Sequence, residues 1–188
     1  MPHSLQEASP NTLKGSFTPD LIASKIWLLT QLAQVQTDLG IVYVLGSWYS
    51  NLSILLHTQH VLTYQGIVNV DVNATKLAVG MRLAQRFGLN QQVSHLHMDA
   101  NHLQYLLLNH DPGCVINTST GEMPQGEWWH NIPQGTLVAL QARNHPAGCQ
   151  DLNQMRRQFV FSKLCYQGEK HLQDPQTSYT RFMLIGYK

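Results

Sequence analysis

The sequence has few charged residues and no long apolar run, and both shortages exclude classes of protein. Asp, Glu, Lys and Arg make up only 12% of the 188 residues, and the formal net charge is +1. This balance lacks the basic excess with which proteins bind a nucleic-acid backbone. No stretch approaches the ~18 to 20 apolar residues that cross a bilayer. We therefore expect no large nucleic-acid footprint and no membrane association.

Cysteine is also scarce, and its spacing predicts neither a disulfide framework nor a zinc site. Cys114, Cys149 and Cys165 are an odd number, and no pair has the Cys-x-x-Cys spacing. The first 16 residues lack the apolar core of a secretory signal. These features favour a reducing compartment, and we predict a cytoplasmic protein.

Hydrophobic residues, at 43% of the chain, are abundant enough for a sizeable core. A chain of this length suits a single domain. The first 16 residues differ from the rest because they are polar, contain two prolines and show no periodicity. The sequence therefore predicts a polar N-terminal arm at residues 1–16 and a single domain at residues 17–188.

Apolar strands alternate with helical patterns in that domain, which indicates an α/β fold. The first helix is predicted over residues 19–39, where Thr18 can cap the first turn and Gly40 ends the helix. Further helices are predicted to open at Leu52 and to cover residues 73–87, 101–108 and 151–157. Strands are predicted over residues 41–45, 66–71, 92–98, 114–117, 136–141, 159–166 and 180–187.

The last two predicted strands are joined by residues 167–179, which show no helical periodicity. A parallel pair needs a crossover, usually a helix, so an antiparallel hairpin is the better prediction. The predicted fold class is α/β, with a three-layer Rossmann-like sheet of seven strands that is mostly parallel with an antiparallel C-terminal strand. This hairpin disfavours a nucleotide-dependent oxidoreductase of the nicotinamide type, whose sheet is wholly parallel in its core.

A glycine turn at Gly46 links the first predicted strand to the next helix. Strand, glycine turn and helix are how an α/β nucleotide site begins. Only one glycine is present, however, and Trp48 and Tyr49 stand where small residues would let a ligand reach the backbone. We expect these two aromatic residues to form a wall of the pocket.

The strand order and the ends of the second and third strands carry a resemblance to a known superfamily. Seven strands with a helix-free link before the last resemble the class I S-adenosylmethionine-dependent methyltransferases, over roughly residues 20–188. The resemblance implies S-adenosylmethionine as cofactor, with Asp71 accepting from the ribose hydroxyls and Asp99 from the adenine amine. The cofactor-binding residues that it implies are Gly46, Ser47, Trp48, Tyr49, Asp71, Val72, Asp99, Ala100 and Asn117.

Four short phrases narrow the resemblance, and one alternative role stays open beside it. Residues 24–28, 45–49, 117–119 and 179–183 are similar to a group of small, mostly uncharacterised methyltransferase-like proteins, some of them viral. The alternative for Asp71 is a structural one, because an Asp at the end of a strand often caps the following helix.

The residues after the fourth strand stand where the superfamily binds the methyl acceptor. The resemblance implies Asn117 and Glu122 as catalytic residues, with Asn117 beside the transferred methyl and Glu122 able to take a proton. The alternative for Glu122 is a solvated loop carboxylate. No Asn/Asp-Pro-Pro-Tyr/Phe run follows the strand, which disfavours methylation of nucleic-acid bases. A small molecule, an RNA or a protein all remain open as acceptor, and so does the oligomeric state.

One departure from the superfamily supports an alternative function. Val44 stands two positions before Gly46, where the superfamily usually has an acidic residue that anchors the cofactor's amino group. The alternative is a non-catalytic module of the same fold that binds another ligand or a protein through its aromatic residues.

The adjacent tryptophans Trp128 and Trp129 are expected to anchor their loop onto the core.

The ten histidines of the sequence do not form a recognisable metal-binding motif. His95 and His97 would share one face of the third predicted strand, and His102 and His110 follow. No Cys or Glu completes the set, so we predict no metal site.

Overall fold

The computed structural model describes residues 13, 15–105, 112–123, 126–144, 149–174 and 176–188. None of the helices in these ranges has the length and apolar content needed to cross a membrane. The elements are α1 (Pro19–Val35), β1 (Ile41–Leu45), α2 (Asn51–Gln59), β2 (Gly66–Asp71), α3 (Ala74–Arg86), β3 (Val93–His97), a 3₁₀ turn (Ala100–His102), β4 (Cys114–Asn117), α4 (Glu127–His130), β5 (Leu137–Arg143), α5 (Leu152–Gln158), β6 (Lys163–Gln173) and β7 (Ser178–Tyr187).

The strands form one seven-stranded sheet in the order β3-β2-β1-β4-β5-β7-β6. Neighbours among β1 to β5 pair in parallel, whereas β7 runs antiparallel to both β5 and β6. This arrangement confirms the predicted α/β class and the mostly parallel sheet with an antiparallel C-terminal strand. The reversed strand β7 lies inside the sheet, and β6 forms the edge.

Strand β6 differs most from its prediction, because it continues through much of the predicted connector. An edge strand has one solvated face, so β6 alternates exposed and half-buried residues instead of forming an apolar run. The hairpin closes at Asp174, whose Oδ1 accepts from the amides of Gln176 at 2.8 Å and Thr177 at 2.7 Å. The antiparallel pairing predicted for the last two strands is confirmed.

Two predicted helices are shorter in the structure. Helix α1 ends at Val35 because the chain then extends, and the Leu39 amide donates to the carbonyl of Thr63 at 2.9 Å. The helix predicted over residues 101–108 begins as a 3₁₀ turn, in which Asp99 accepts from the Asn101 amide at 2.9 Å. Residues 106–108 of that prediction lie outside the described residues.

The core consists of two apolar clusters, one on each face of the sheet. Because side chains alternate along a strand, Val42 and Val44 of β1 enter one cluster with α1, and Tyr43 and Leu45 enter the other. The second cluster also contains the tryptophan pair of α4, and both rings pack against Phe159 with centroids 5.6 and 5.3 Å away. The prediction that Trp128 and Trp129 anchor their loop onto the core is confirmed.

Polar contacts fix helix α1 to strands β5 and β7. Ser24 Oγ donates to Gln141 Oε1 at 3.1 Å, and Gln141 Nε2 donates back to the Ser24 carbonyl at 3.1 Å. Tyr179 OH donates to Asp20 Oδ2 at 2.6 Å. These contacts hold the N-terminal part of α1 against β5 and β7.

Replacing Gly80 with alanine is expected to destabilise the protein by about 2 kcal/mol, because helix α3 touches the turn after β1 there. A Cβ at Gly80 would overlap Ser50 Oγ and lie 3.0 Å from the carbonyl carbon of Tyr49. Urea denaturation would measure the change. Gly15→Ala is the matched control, since a Cβ at Gly15 meets no atom within 4 Å. Equal stability of the two variants would contradict this packing.

Candidate functional site

The turn after β1 has an unusual backbone. Gly46, Trp48 and Ser50 have φ angles of 62°, 51° and 60°. Such angles suit glycine but are strained for a bulky residue such as tryptophan. Residues held in this way concentrate at functional sites, which directs attention to this turn.

The amides of this turn bond to the protein itself. The Ser47 amide donates to the Val70 carbonyl at 3.1 Å, the Trp48 amide to Asp71 Oδ2 at 2.9 Å, and the Ser50 amide to the Ser47 carbonyl at 2.9 Å. A dinucleotide site instead uses free loop amides to cradle phosphates. The turn therefore lacks the donors of a phosphate cradle at these three positions.

Asp71 links the two loops that follow β1 and β2. Its Oδ2 accepts from the Trp48 amide, and its Oδ1 accepts from the Asn73 amide at 2.8 Å. The cap of helix α3 is Asn73, whose side chain accepts from the Lys76 amide at 2.9 Å. Asp71 is only 7% exposed, yet a carboxylate has about four acceptor positions and two remain here.

A cavity of about 350 Å³, which we call the Asp71 cavity, opens where β1, β2 and β3 end. It brings together five of the predicted cofactor residues from three separate loops. Val72 at its rim is 65% exposed, whereas Ala100 is buried. The lining residues are Gly46, Val70, Asp71, Val72, Met98, Asp99, Ala100, Asn101, Glu122, Met123, Gly126 and Trp128.

A second cavity of about 310 Å³, the Lys25 cavity, lies beside the first. The two cavities share Gly46 and Glu122, so both adjoin the turn after β1. Predicted residues Ser47 and Trp48 line this second cavity. Its lining is Leu21, Lys25, Val44, Gly46, Ser47, Trp48, Asn51, Leu52, Thr118, Ser119, Gly121, Glu122, Arg143 and Arg181.

Two buried cations in the Lys25 cavity were not predicted. Burial, and then the neighbouring Arg181, lowers the pKa of Lys25 to about 8. Arg181 Nη2 donates to the Thr118 carbonyl at 2.6 Å, and burial lowers the pKa of its guanidinium. In the sequence, Lys25 is a charge within the mostly apolar pattern of α1, and Arg181 is the one charge within β7. Neither signal names a role.

Two predicted site residues do not line either cavity. Tyr49 is 1% exposed and Asn117 is 0% exposed. Asn117 Oδ1 accepts from the Ser119 amide at 2.8 Å, and its Nδ2 lies 3.9 Å from Met123 Sδ. The Asn117 side chain therefore shapes the turn after β4, while Glu122 is exposed at the border of both cavities.

The histidines near the site contact protein atoms. His95 Nε2 lies 2.9 Å from Ser50 Oγ, and burial lowers the pKa of this imidazole. His97 Nε2 lies 2.9 Å from the Val72 carbonyl. In the part of the chain that the structure describes, no three His, Cys, Asp or Glu side chains are grouped as metal ligands. His110 of the sequence pattern lies outside those residues.

Comparison with known proteins finds likeness in structure and none in sequence. No protein-family model matches the chain, and no curated protein sequence matches it. Magnesium protoporphyrin IX methyltransferase from Synechocystis, solved with bound S-adenosylmethionine, is 12% identical with a TM-score of 0.67, covering 95% of this chain and 86% of that one. The N-methyltransferase NodS from Bradyrhizobium japonicum is 9% identical with a TM-score of 0.66, covering 92% and 99%.

A third similar structure contains the cofactor product. TrmK from M. capricolum, in complex with S-adenosylhomocysteine, is 16% identical with a TM-score of 0.62, covering 85% of this chain and 68% of that one. At such identities these likenesses establish a shared fold.

Proposed function

Because the chain has the fold of the class I S-adenosylmethionine-dependent methyltransferases, we propose that it is an S-adenosylmethionine-dependent methyltransferase that acts on an acceptor still to be identified. The observation that carries the proposal is the Asp71 cavity. There, Gly46, Asp71 and Asp99 meet from the ends of three adjacent parallel strands. In open α/β sheets, ligands bind at this edge, outside the carboxyl ends of the strands.

The residues of the Asp71 cavity fit the adenosine part of the cofactor. Asp71 keeps acceptor positions for two ribose hydroxyls after it has bonded the Trp48 and Asn73 amides. Asp99 can accept from the adenine amine, and Met98 and Ala100 offer apolar surface to the ring. Val72 lines the rim of the same cavity. The volume of about 350 Å³ is in the usual range of small-molecule sites.

The turn after β1 would hold the methionine end of the cofactor. Gly46 borders both cavities, and Ser47 and Trp48 line the neighbouring Lys25 cavity. Tyr49 supports this turn from the core, since its ring lies 6.4 Å from that of Trp48. On the side of α3, the ammonium group of Lys76 packs over the Trp48 ring, with Nζ 4.7 Å from the ring centroid.

The acceptor would bind in the Lys25 cavity, where little is required of the protein beyond positioning and exclusion of water. The bound cofactor supplies an electrophilic methyl group. Glu122, at the border of the two cavities, can take the proton that an acceptor loses. Asn117 is a positioning residue, because its side chain fixes the Ser119 amide in the turn beside the acceptor.

Thermal unfolding with S-adenosylmethionine, S-adenosylhomocysteine, NAD or no ligand tests the proposal. A ligand at about 100 times its dissociation constant stabilises a protein by ~2.7 kcal/mol. We expect both sulfur compounds to raise the unfolding temperature and NAD to leave it unchanged. No rise with either sulfur compound at millimolar concentration would refute cofactor binding. The alternative of a non-catalytic module, which the apolar Val44 of β1 favours, would then be preferred.

A further inference from the structure

The Lys25 cavity contains two cationic side chains that form no ion pair with a described carboxylate. Lys25 and Arg181 are 7% and 8% exposed. The ion pair found in the described part of the chain joins Arg143 to Asp174 at 3.3 Å, and it includes neither of them. Because charges taken out of water cost free energy unless they are paired, this cavity is prepared for a ligand of opposite charge.

Unused hydrogen-bond donors border the same cavity. Arg181 Nε and Ser47 Oγ are buried and have no partner among the described protein atoms. The Arg181 guanidinium is fixed at its other end by the bond from Nη2 to the Thr118 carbonyl. Lys25 Nζ likewise makes no hydrogen bond within the described residues. An ammonium, a guanidinium N–H and a hydroxyl together suit a carboxylate or a phosphate.

We propose that Lys25 and Arg181 bind an anionic group, a carboxylate or a phosphate, of the methyl acceptor. The proposal rests on the function proposed above, and it narrows the acceptor to an anionic molecule. Ser47 contributes a third donor from the turn after β1. Small acceptors suit the cavity, since its volume is about 310 Å³.

Charge balance assigns the anion to the acceptor and not to the cofactor. S-adenosylmethionine carries a sulfonium and an ammonium charge against one carboxylate, so its net charge is positive. Its arrival next to Lys25 and Arg181 increases the local positive charge. The Asp20 and Glu122 carboxylates offset part of this charge, but Asp20 Oδ2 accepts from Tyr179 OH, and neither carboxylate forms an ion pair with Lys25 or Arg181. An anionic acceptor supplies the ion pair that both buried cations lack, whereas a neutral acceptor leaves both without one.

Anion binding by the full chain saturated with S-adenosylhomocysteine tests this proposal. Inorganic phosphate or acetate is added at constant ionic strength, with chloride as the reference anion. We expect one of them to raise the unfolding temperature further, by about 3 °C. Lys25→Met should abolish this rise. Lys163→Met, which removes one positive charge from the exposed start of β6, should retain it.

Three results would overturn the proposal. The first is no rise with either anion, and the second is an equal rise in the Lys25→Met protein. The third is competition, in which phosphate or acetate weakens binding of S-adenosylhomocysteine to the wild-type protein, because the cofactor's own carboxylate would then occupy the cations. This last measurement requires no variant, so it holds even where a substitution prevents folding.

Failure of the proposed function gives a different result. In that case S-adenosylhomocysteine does not stabilise the protein, and the anions are tested on the ligand-free chain. A rise that depends on Lys25 supports the anion site and refutes only the methyltransferase. A rise that is independent of Lys25, or no rise, refutes the anion site as well.

Discussion

Lys25→Met is expected to stabilise the ligand-free protein by about 3 kcal/mol at pH 7. Burial lowers the pKa of Lys25 from 10.5 to about 8. Each pKa unit corresponds to about 1.36 kcal/mol, so the charged form of the buried side chain costs about 3 kcal/mol. Methionine has a similar length, fills the same space and carries no charge. Urea denaturation of both proteins would measure the gain, with Lys163→Met as the control that leaves stability nearly unchanged.

The size of this gain depends on pH. Below about pH 8, the folded and unfolded chains both hold the proton of Lys25, and the folded state bears the full cost. Between about pH 8 and 10.5, the folded state loses this proton first, so wild-type stability approaches that of the variant. The neighbours Arg181, Arg143, Glu122, Asp20 and Tyr179 are common to both proteins, so their titration largely cancels in the difference. A difference that stays constant from pH 7 to 10 would contradict the assignment.

Asp71→Ala is expected to destabilise the protein by about 3 kcal/mol. The Asp71 carboxylate accepts from the amides of Trp48 and Asn73, and bonds to a charged group contribute about 1.5 to 3 kcal/mol each. Alanine would leave both amides without a partner and release the strained turn at Trp48. Urea denaturation would measure the loss. A loss below about 1 kcal/mol would refute the role of Asp71 as a link between the two loops.

Asp71→Asn separates this structural role from ribose binding. The amide keeps one acceptor oxygen, so we expect about half of the stability loss that alanine causes. Its NH₂ group cannot accept from a second ribose hydroxyl, so S-adenosylhomocysteine should bind about tenfold more weakly. Isothermal titration calorimetry on the folded variant would measure this affinity. Unchanged affinity would refute the ribose assignment and leave the structural role intact.

Much of the sheet could be predicted because its central strands are short apolar runs that end at glycines or polar residues. The strand over Cys114–Asn117 lies where it was predicted, since it is buried on both faces. Strand β6 was predicted too early because an edge strand alternates polar and apolar residues and resembles a loop in composition. The resemblance to the methyltransferase fold is confirmed by the strand order.

The site could be predicted only in part. The resemblance implies Gly46, Asp71 and Asp99, and they meet in one cavity because the ends of neighbouring parallel strands lie at one edge of the sheet. Lys25 and Arg181 were missed because they come from the first described long helix and the last strand, which meet only through tertiary packing. The Asp71 bond to the Trp48 amide was equally hidden, since it depends on a left-handed turn that the sequence does not favour.

The position of β7 inside the sheet also determines when the site can form during synthesis. Strand β7 pairs with β5 on one side and β6 on the other, and it carries both Arg181 and the Tyr179 that holds Asp20. A nascent chain that ends before Ser178 lacks β7, and with it Arg181 of the Lys25 cavity and the Tyr179 partner of Asp20. Because chains emerge from the ribosome N-terminus first, every residue that lines the Asp71 cavity is synthesised before Arg181, which completes the lining of the Lys25 cavity.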